Sequence, residues 1–177
     1  WLATNSGLDR FDPETRMFIH YPEFDDMDNG IAWIAVDNED DLWLGNTTTK
    51  VYRPGYGILS SFKDSFYDVF EDSKGNYWAT SSRGIELCDK YDGIIKTYNK
   101  NNGIASCYTY CILEDNNGKL WISTINGLSC FDPDNEEFKN FSSVDGLQGN
   151  QFHHRAAFKA KTGELLFGSR KGIILHV

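Results

Sequence analysis

Basic residues are scarce in this sequence. Its 177 residues include 17 lysines and arginines against 26 aspartates and glutamates, which gives a formal net charge of −9. The basic residues are scattered, and Arg170–Lys171 is the single pair of neighbours in the chain. Because nucleic acids and anionic membranes are bound through basic patches, this balance predicts no nucleic-acid partner and no direct membrane contact.

Long apolar stretches are absent as well. No run approaches the roughly 20 apolar residues that a membrane-spanning helix needs, and the first residues do not form a signal peptide. Residue 1 is Trp rather than Met, so we expect the chain to be a piece of a longer protein. Only 4 residues are proline while 15% are aromatic, which is not the composition of a disordered segment.

The four cysteines lack the spacing of a metal site or a redox motif. Cys88, Cys107, Cys111 and Cys130 form no CxxC pair. Cys107 and Cys111 would lie about 13 Å apart on a regular strand, which is too far for a disulfide. We expect buried free thiols.

Motifs for catalysis and for cation binding are also missing. There is no nucleophile elbow, phosphate-binding loop or metalloprotease helix. Two acidic turns beginning at Asp37 and Asp115 resemble the start of a calcium loop, but Thr48 and Asn126 stand where the bidentate glutamate would be. The sequence therefore predicts no enzyme activity in this segment, no cofactor and no metal.

What the sequence does contain is a repeat. Four tryptophans and one leucine, 35 to 45 residues apart, open similar segments at Trp1, Trp43, Trp78, Trp121 and Leu166. Repeats of roughly 40 residues with strand-like patterns are typical of β-propeller blades. Large aromatic residues in regular register usually pack in a core, so we expect these tryptophans to lie between blades.

Each repeat predicts four antiparallel strands. A short apolar stretch comes first, followed by a turn that starts with Asp and usually ends with Gly, then the Trp strand and, six residues past the Trp, a second Gly that opens the third strand. The prediction is an all-β, partial β-propeller of four-stranded blades, with residues 1–177 as a single fragment. The complete blades are expected at 28–62, 64–98 and 104–141, and partial ones at 1–21 and 150–177.

The best-formed repeat runs from Tyr110 to Pro133, and part of it recurs at Glu71–Trp78. It resembles the two-component regulator propeller repeat. The tail at 146–152 and 163–168 is similar to the last blade of such propellers, which in that family precedes a β-sandwich, a membrane helix and a histidine kinase. The second repeat departs from the pattern, with Asp40 in place of the turn Gly and Thr47–Lys50 in place of the second Gly.

The resemblance implies a function. The chain is similar to the sensor region of hybrid two-component systems of Bacteroides-type gut bacteria, which implies a periplasmic sensor of glycan breakdown products. The implied partners are an oligosaccharide ligand, the remainder of the propeller, the downstream β-sandwich and a second copy of the chain in a homo-oligomer.

Candidate ligand-binding residues lie at the predicted entrances of the innermost strands. There, aromatic rings and hydrogen-bonding groups could surround an oligosaccharide; the alternative is that the aromatic rings only fill space between blades. The candidates are Trp33, Tyr67, Tyr108, Tyr110, Asn150, His154 and Arg155.

Two other functions stay open at the level of sequence. One is a structural scaffold that pairs two receptor chains. The other is a propeller enzyme, such as a lyase or a glycan-active protein, which would need His153 or His154 to act with Asp28.

Overall fold

A computed structural model of the chain describes residues 1–27 and 29–176 and contains five small antiparallel β-sheets. The chain divides into two compact units, Trp1–Phe66 and Tyr67–Val177. Three sheets have four strands and two have three. The all-β prediction is confirmed, whereas the predicted blade boundaries and the single fragment stay predictions. Within the described residues no helix is long and apolar enough to span a membrane.

The first unit holds two sheets whose strands follow one another in chain order. The first sheet has three strands and the second has four. Their strands are β1 Leu2–Thr4, β2 Gly7–Asp12 and β3 Met17–Tyr21, then β4 Trp33–Val36, β5 Leu42–Gly45, β6 Thr49–Arg53 and β7 Gly57–Phe62.

The second unit holds two four-stranded sheets and a final three-stranded one, again in chain order. The strands are β8 Asp68–Glu71, β9 Tyr77–Thr80, β10 Ile85–Asp89 and β11 Gly93–Tyr98; β12 Thr109–Glu114, β13 Leu120–Thr124, β14 Gly127–Asp132 and β15 Glu137–Phe141; and β16 Phe152–Lys159, β17 Leu165–Ser169 and β18 Gly172–His176.

A carboxylate holds the tryptophan in each of the three four-stranded sheets. The Asp that opens the first hairpin turn accepts a hydrogen bond from the indole Nε1 six residues later. The distances are 3.1 Å for Asp37–Trp43, 2.8 Å for Asp72–Trp78 and 3.0 Å for Asp115–Trp121. The other oxygen of each carboxylate accepts two backbone N–H groups of the turn. The same side chain therefore closes the turn and fixes the ring. We call these contacts the Asp–Trp pairs.

The tryptophans of the second unit pack between sheets, as predicted. Trp78 is 3% exposed and lies 5.6 Å, centroid to centroid, from Phe131 of the next sheet. Trp121 belongs to a buried cluster with Phe152, Leu165 and Phe167 of the final sheet. Trp1 differs, because it is 37% exposed and precedes a sheet of only three strands.

The second Gly of the repeat is required by a close backbone approach. Gly84 and Gly127 have φ of +134° and +101°, and a Cβ on either would lie 2.0 Å from Tyr98 O or 2.2 Å from Phe141 O. No other residue tolerates both conditions. In the second sheet, Asp40 takes the place of the turn Gly and adopts its left-handed conformation, with φ of +63°.

All four cysteines are free thiols, as predicted. Cys88, Cys111 and Cys130 are buried, and Cys107 is half-buried. Burial raises the pKa of the Cys111 and Cys130 thiols to about 11.

Candidate functional site

Two neighbouring innermost strands of the second unit are interrupted at the same end. In β12, Tyr110 is the extra residue between Thr109 and Cys111, which pair with adjacent residues of β13. In β16, the four residues 153–156 lie opposite the single residue Gly168 of β17. Bulges of this kind redirect side chains and are common beside functional sites. The sequence pattern predicted regular strands here.

The bulges bring three predicted ligand-binding residues into contact. The ring of His154 lies 4.1 Å from that of Tyr110 and 5.0 Å from that of Tyr67, centroid to centroid. These residues come from the final sheet, from β12 and from the segment just before β8. We call Tyr67, Tyr110 and His154 the His–Tyr cluster.

The cluster lies in an environment that disfavours a charged imidazole. Part of the His154 ring is buried against the tyrosines although the residue is exposed overall. This burial, followed by the nearby charges of Arg155 and His153, lowers the pKa of His154. Burial and the proximity of Tyr67 raise the pKa of the Tyr110 hydroxyl, and the charge of Arg170 opposes that shift.

Arg155 follows His154 in the bulge of β16. Its φ is +54°, which is unusual for a residue with a side chain and reflects the bulge. Burial raises the pKa of the neighbouring Asp68 carboxyl to about 7, although the charge of Arg155 works against the shift. Burial also lowers the pKa of Arg155, and the proximity of Asp68 and Cys111 limits that change.

A polar cleft of about 290 Å³ lies between the segment after β15 and the turn that joins β17 to β18. Asn150 is fixed in it, since its Oδ1 accepts the Ser143 N–H at 2.7 Å and its carbonyl accepts the Gly127 N–H at 2.7 Å. The Arg170 N–H donates to Gln151 O at 3.3 Å, which ties the two walls together. We call it the Arg170 cleft; its lining includes Ser143, Gln148, Asn150, Gln151, Arg170 and Lys171.

The two remaining candidates, Trp33 and Tyr108, make other contacts. Trp33, in the first unit, is 3% exposed and donates its Nε1–H to Phe66 O at 2.8 Å. Tyr108 is 54% exposed just before β12, and its carbonyl accepts the Ile125 N–H at 3.1 Å. Whether any of the seven candidates binds a ligand stays a prediction.

Of the cleft residues named above, the sequence analysis selected only Asn150 and missed Ser143, Gln148, Gln151 and the charged pair Arg170 and Lys171. The adjacency of Arg170 and Lys171 was visible, but the pair is distant in sequence from the predicted strand entrances. Asp28, the proposed partner of the histidines in an enzyme, lies outside the described residues. Within the described ranges, no group of three or more His, Cys, Asp or Glu residues is placed to hold a metal ion.

Residues 103–126 match the two component regulator propeller family. This match, over β12, the turn after it and β13, confirms the resemblance drawn from the repeats. No curated protein sequence matches the chain.

Solved structures show the same fold at low identity. The extracellular domain of a hybrid two component system from B. thetaiotaomicron is 22% identical, with a TM-score of 0.79 over 89% of this chain and 23% of that one. The extracellular domain of a one component system from the same organism is also 22% identical, with a TM-score of 0.77 over 97% of this chain and 27% of that one. Virginiamycin B lyase from Staphylococcus aureus is 16% identical, with a TM-score of 0.59 over 85% of this chain and 56% of that one. The fold is therefore that of β-propeller proteins, and the chain spans about a quarter of the length of the two-component and one-component structures.

Proposed function

We propose that the chain is a ligand-binding segment of an extracytoplasmic sensor in a hybrid two-component signalling protein, and that its ligand is an oligosaccharide released from a glycan. The periplasmic location, the histidine kinase and the adjoining β-sandwich belong to the proposal. The matched regulator repeat and the fold shared with extracellular domains of a hybrid two component system and a one component system support it. The observation that carries it is the His–Tyr cluster beside the Arg170 cleft.

The chemistry of this region suits a sugar. Partly exposed rings at Tyr67, Tyr110 and His154 offer flat apolar surfaces to the C–H face of a pyranose. Amide groups of Gln148, Asn150 and Gln151 line the adjacent cleft and can exchange hydrogen bonds with hydroxyls. A few placed polar groups beside an apolar surface are typical of small-molecule sites.

Signalling requires more than binding. A ligand shifts a protein between two arrangements only if it binds one of them more tightly. The cluster joins β12, β16 and the segment just before β8, so a ligand that contacts all three stabilises one arrangement of them over another. This is how we propose that occupancy is transmitted.

Isothermal titration of the intact protein with a panel of neutral and acidic oligosaccharides tests the proposal. We expect at least one to bind, and we expect His154→Ala and Tyr110→Ala to weaken its binding by more than tenfold. Tyr91→Ala is the matched control, since Tyr91 is 60% exposed in the turn between β10 and β11. Absence of binding by every oligosaccharide would contradict the proposal.

A scaffold that pairs two copies of the chain is the second candidate. The sheet β1–β3 exposes Phe11, Met17 and Phe18 at 42%, 65% and 63%. Exposed apolar groups concentrated on one sheet favour association. Analytical ultracentrifugation should show a homo-oligomer that Phe18→Glu dissociates, and a monomeric wild-type protein at all concentrations would contradict it.

The similarity to a lyase extends to the fold alone, so we propose no reaction.

A further inference from the structure

We infer that the Arg170 cleft binds the carboxylate or sulfate group of an acidic oligosaccharide, with Arg170 and Lys171 as the charged contacts. This inference rests on the proposed function and narrows its ligand class. It starts from the lining of the cleft, which contains two cationic side chains and no acidic residue. In a chain of net charge −9, such a lining runs against the overall composition.

Arg170 and Lys171 are both exposed. Several other basic side chains have carboxylate partners, as in Arg53–Asp41 at 2.6 Å, Arg83–Glu86 at 2.7 Å and Lys96–Glu136 at 2.6 Å. Over the described part of the chain, neither Arg170 nor Lys171 forms an ion pair with a carboxylate. Two adjacent positive charges repel each other, and an anion held between them removes that repulsion and adds charge-assisted hydrogen bonds.

The backbone under the two cations is fixed before any ligand arrives. Ser169 Oγ accepts the Lys171 N–H at 3.3 Å and donates to Gly172 O at 2.9 Å, which closes the turn. The stem of Lys171 lies over Gly149, where a Cβ would sit 3.5 Å from Lys171 Cδ. An anion site held by a closed turn loses less conformational entropy on binding than one on a mobile segment.

The cleft and the His–Tyr cluster are close enough to share one ligand. The charge of Arg170 acts on the Tyr110 hydroxyl, and the Arg170 backbone is bonded to Gln151, three residues before His154. A short oligosaccharide can therefore place a sugar face on Tyr110 and His154 while its acidic group reaches Arg170. In addition, the Asn150 Nδ2 donates to no other described residue and remains free to bond such a group.

The test uses isothermal titration of the intact protein with matched pairs of sugars. One pair is trigalacturonate and its methyl ester, in which the carboxyl groups are esterified and uncharged. The other is a sulfated galactan disaccharide and its desulfated form, which separates a sulfate ester from a carboxylate. Every further oligosaccharide that binds in the panel described above is treated in the same way.

The expected result is that the tightest ligand is acidic, that its affinity falls as salt is raised, and that Arg170→Ala or Lys171→Ala weakens it at least tenfold. Arg170→Lys should retain part of the affinity, and Lys161→Ala, the same charge change in the turn between β16 and β17, should change it less than twofold.

Other results separate the two ideas. If only neutral sugars bind, or if the alanine variants bind the acidic sugar as tightly as the wild type, the inference is overturned and the proposed function stands. If no sugar binds, both fall. Circular dichroism and the unfolding midpoint of each variant confirm that it is folded, so that lost affinity reports the site.

Discussion

The Asp–Trp pairs and the His–Tyr cluster differ in how they relate to the repeat. In three sheets the Asp–Trp pair repeats with the same six-residue spacing and nearly the same hydrogen-bond length. The cluster draws Tyr110 and His154 from bulges in the innermost strands β12 and β16, whereas the innermost strands β4 and β8 pair without a register shift. Features that recur maintain the fold, whereas features that occur once are available for recognition.

The energetics should differ in the same way. An Asp–Trp pair combines a buried ring with a carboxylate whose two oxygens are occupied, so its removal leaves a cavity and orphaned donors. The rings of the cluster are partly in water already, so their removal costs little stability.

Trp78→Ala should give the largest loss, lowering the free energy of unfolding by about 3–5 kcal/mol, because it removes a large ring from a closed core. Trp1→Ala is the matched control from the same repeat position and should cost far less, since Trp1 is 37% exposed. Urea unfolding followed by circular dichroism measures both. Equal losses of stability for the two variants would show that burial between sheets does not determine how much these tryptophans stabilise the fold.

Gly84→Ala should cost more than about 1 kcal/mol, because the new Cβ meets a backbone carbonyl and the residue must keep a positive φ. That Cβ would lie 2.0 Å from Tyr98 O. Gly146→Ala is the control, since Gly146 has φ of +100° but has no atom within 4 Å of the Cβ position. The difference in urea midpoint between the two variants measures the steric contribution to the lost stability. A larger loss for Gly146→Ala than for Gly84→Ala would contradict the close backbone approach as its cause.

Asp68→Asn should change how stability depends on pH. The carboxyl has a pKa of about 7 in the folded protein and about 3.8 when unfolded. Between these values the folded state binds more protons, so wild-type stability should fall as pH rises from 4 to 7. The variant should lack this part of the decline and be the more stable protein at pH 8. If the free energies of unfolding of wild type and variant, measured with urea, change with pH in the same way across this range, the raised pKa of Asp68 is contradicted.

The smallest predicted effect is a difference in pKa between two histidines. His20 Nδ1 lies 2.8 Å from Asp9 Oδ1 and Nε2 lies 2.9 Å from Asp25 Oδ1, and these carboxylates raise the pKa of His20. NMR titration should place His20 above the ordinary value of 6.5 and His154 below it. Asp9→Asn should lower the pKa of His20, and Arg155→Ala should raise that of His154. If the pKa of His154 is higher than that of His20 in the wild-type protein, both predicted shifts are wrong.

The repeat predicted much of the fold because each of its signals has a local cause. Gly84 and Gly127 indicate a positive φ and a close backbone approach, and the Asp of each turn indicates a hairpin whose backbone N–H groups are capped by a side chain. The bond from that Asp to the indole was not predicted, because its geometry depends on the completed hairpin. Asp40 shows the limit of the glycine signal, since its side chain tolerates the same left-handed backbone.

The candidate site was predicted only in part, for a different physical reason. Tyr67, Tyr110 and His154 were selected by strand position, and the structure brings them together. The bulges in β12 and β16 left no mark in the apolar pattern, so the conformation of Arg155 and the adjacency of the Arg170 cleft could not be anticipated. Trp33 was also selected by its position at a strand entrance, but its ring is buried in the packed interior.

The distribution of the thiols offers a practical route into the site. Cys88, Cys111 and Cys130 are buried, and the raised pKa of the latter two makes them poor nucleophiles at neutral pH. Cys107 is half-buried and directly precedes Tyr108, at the start of the strand that carries Tyr110. A fluorophore or spin label on Cys107 would therefore report ligand arrival in the native sequence, without any cysteine being added or removed.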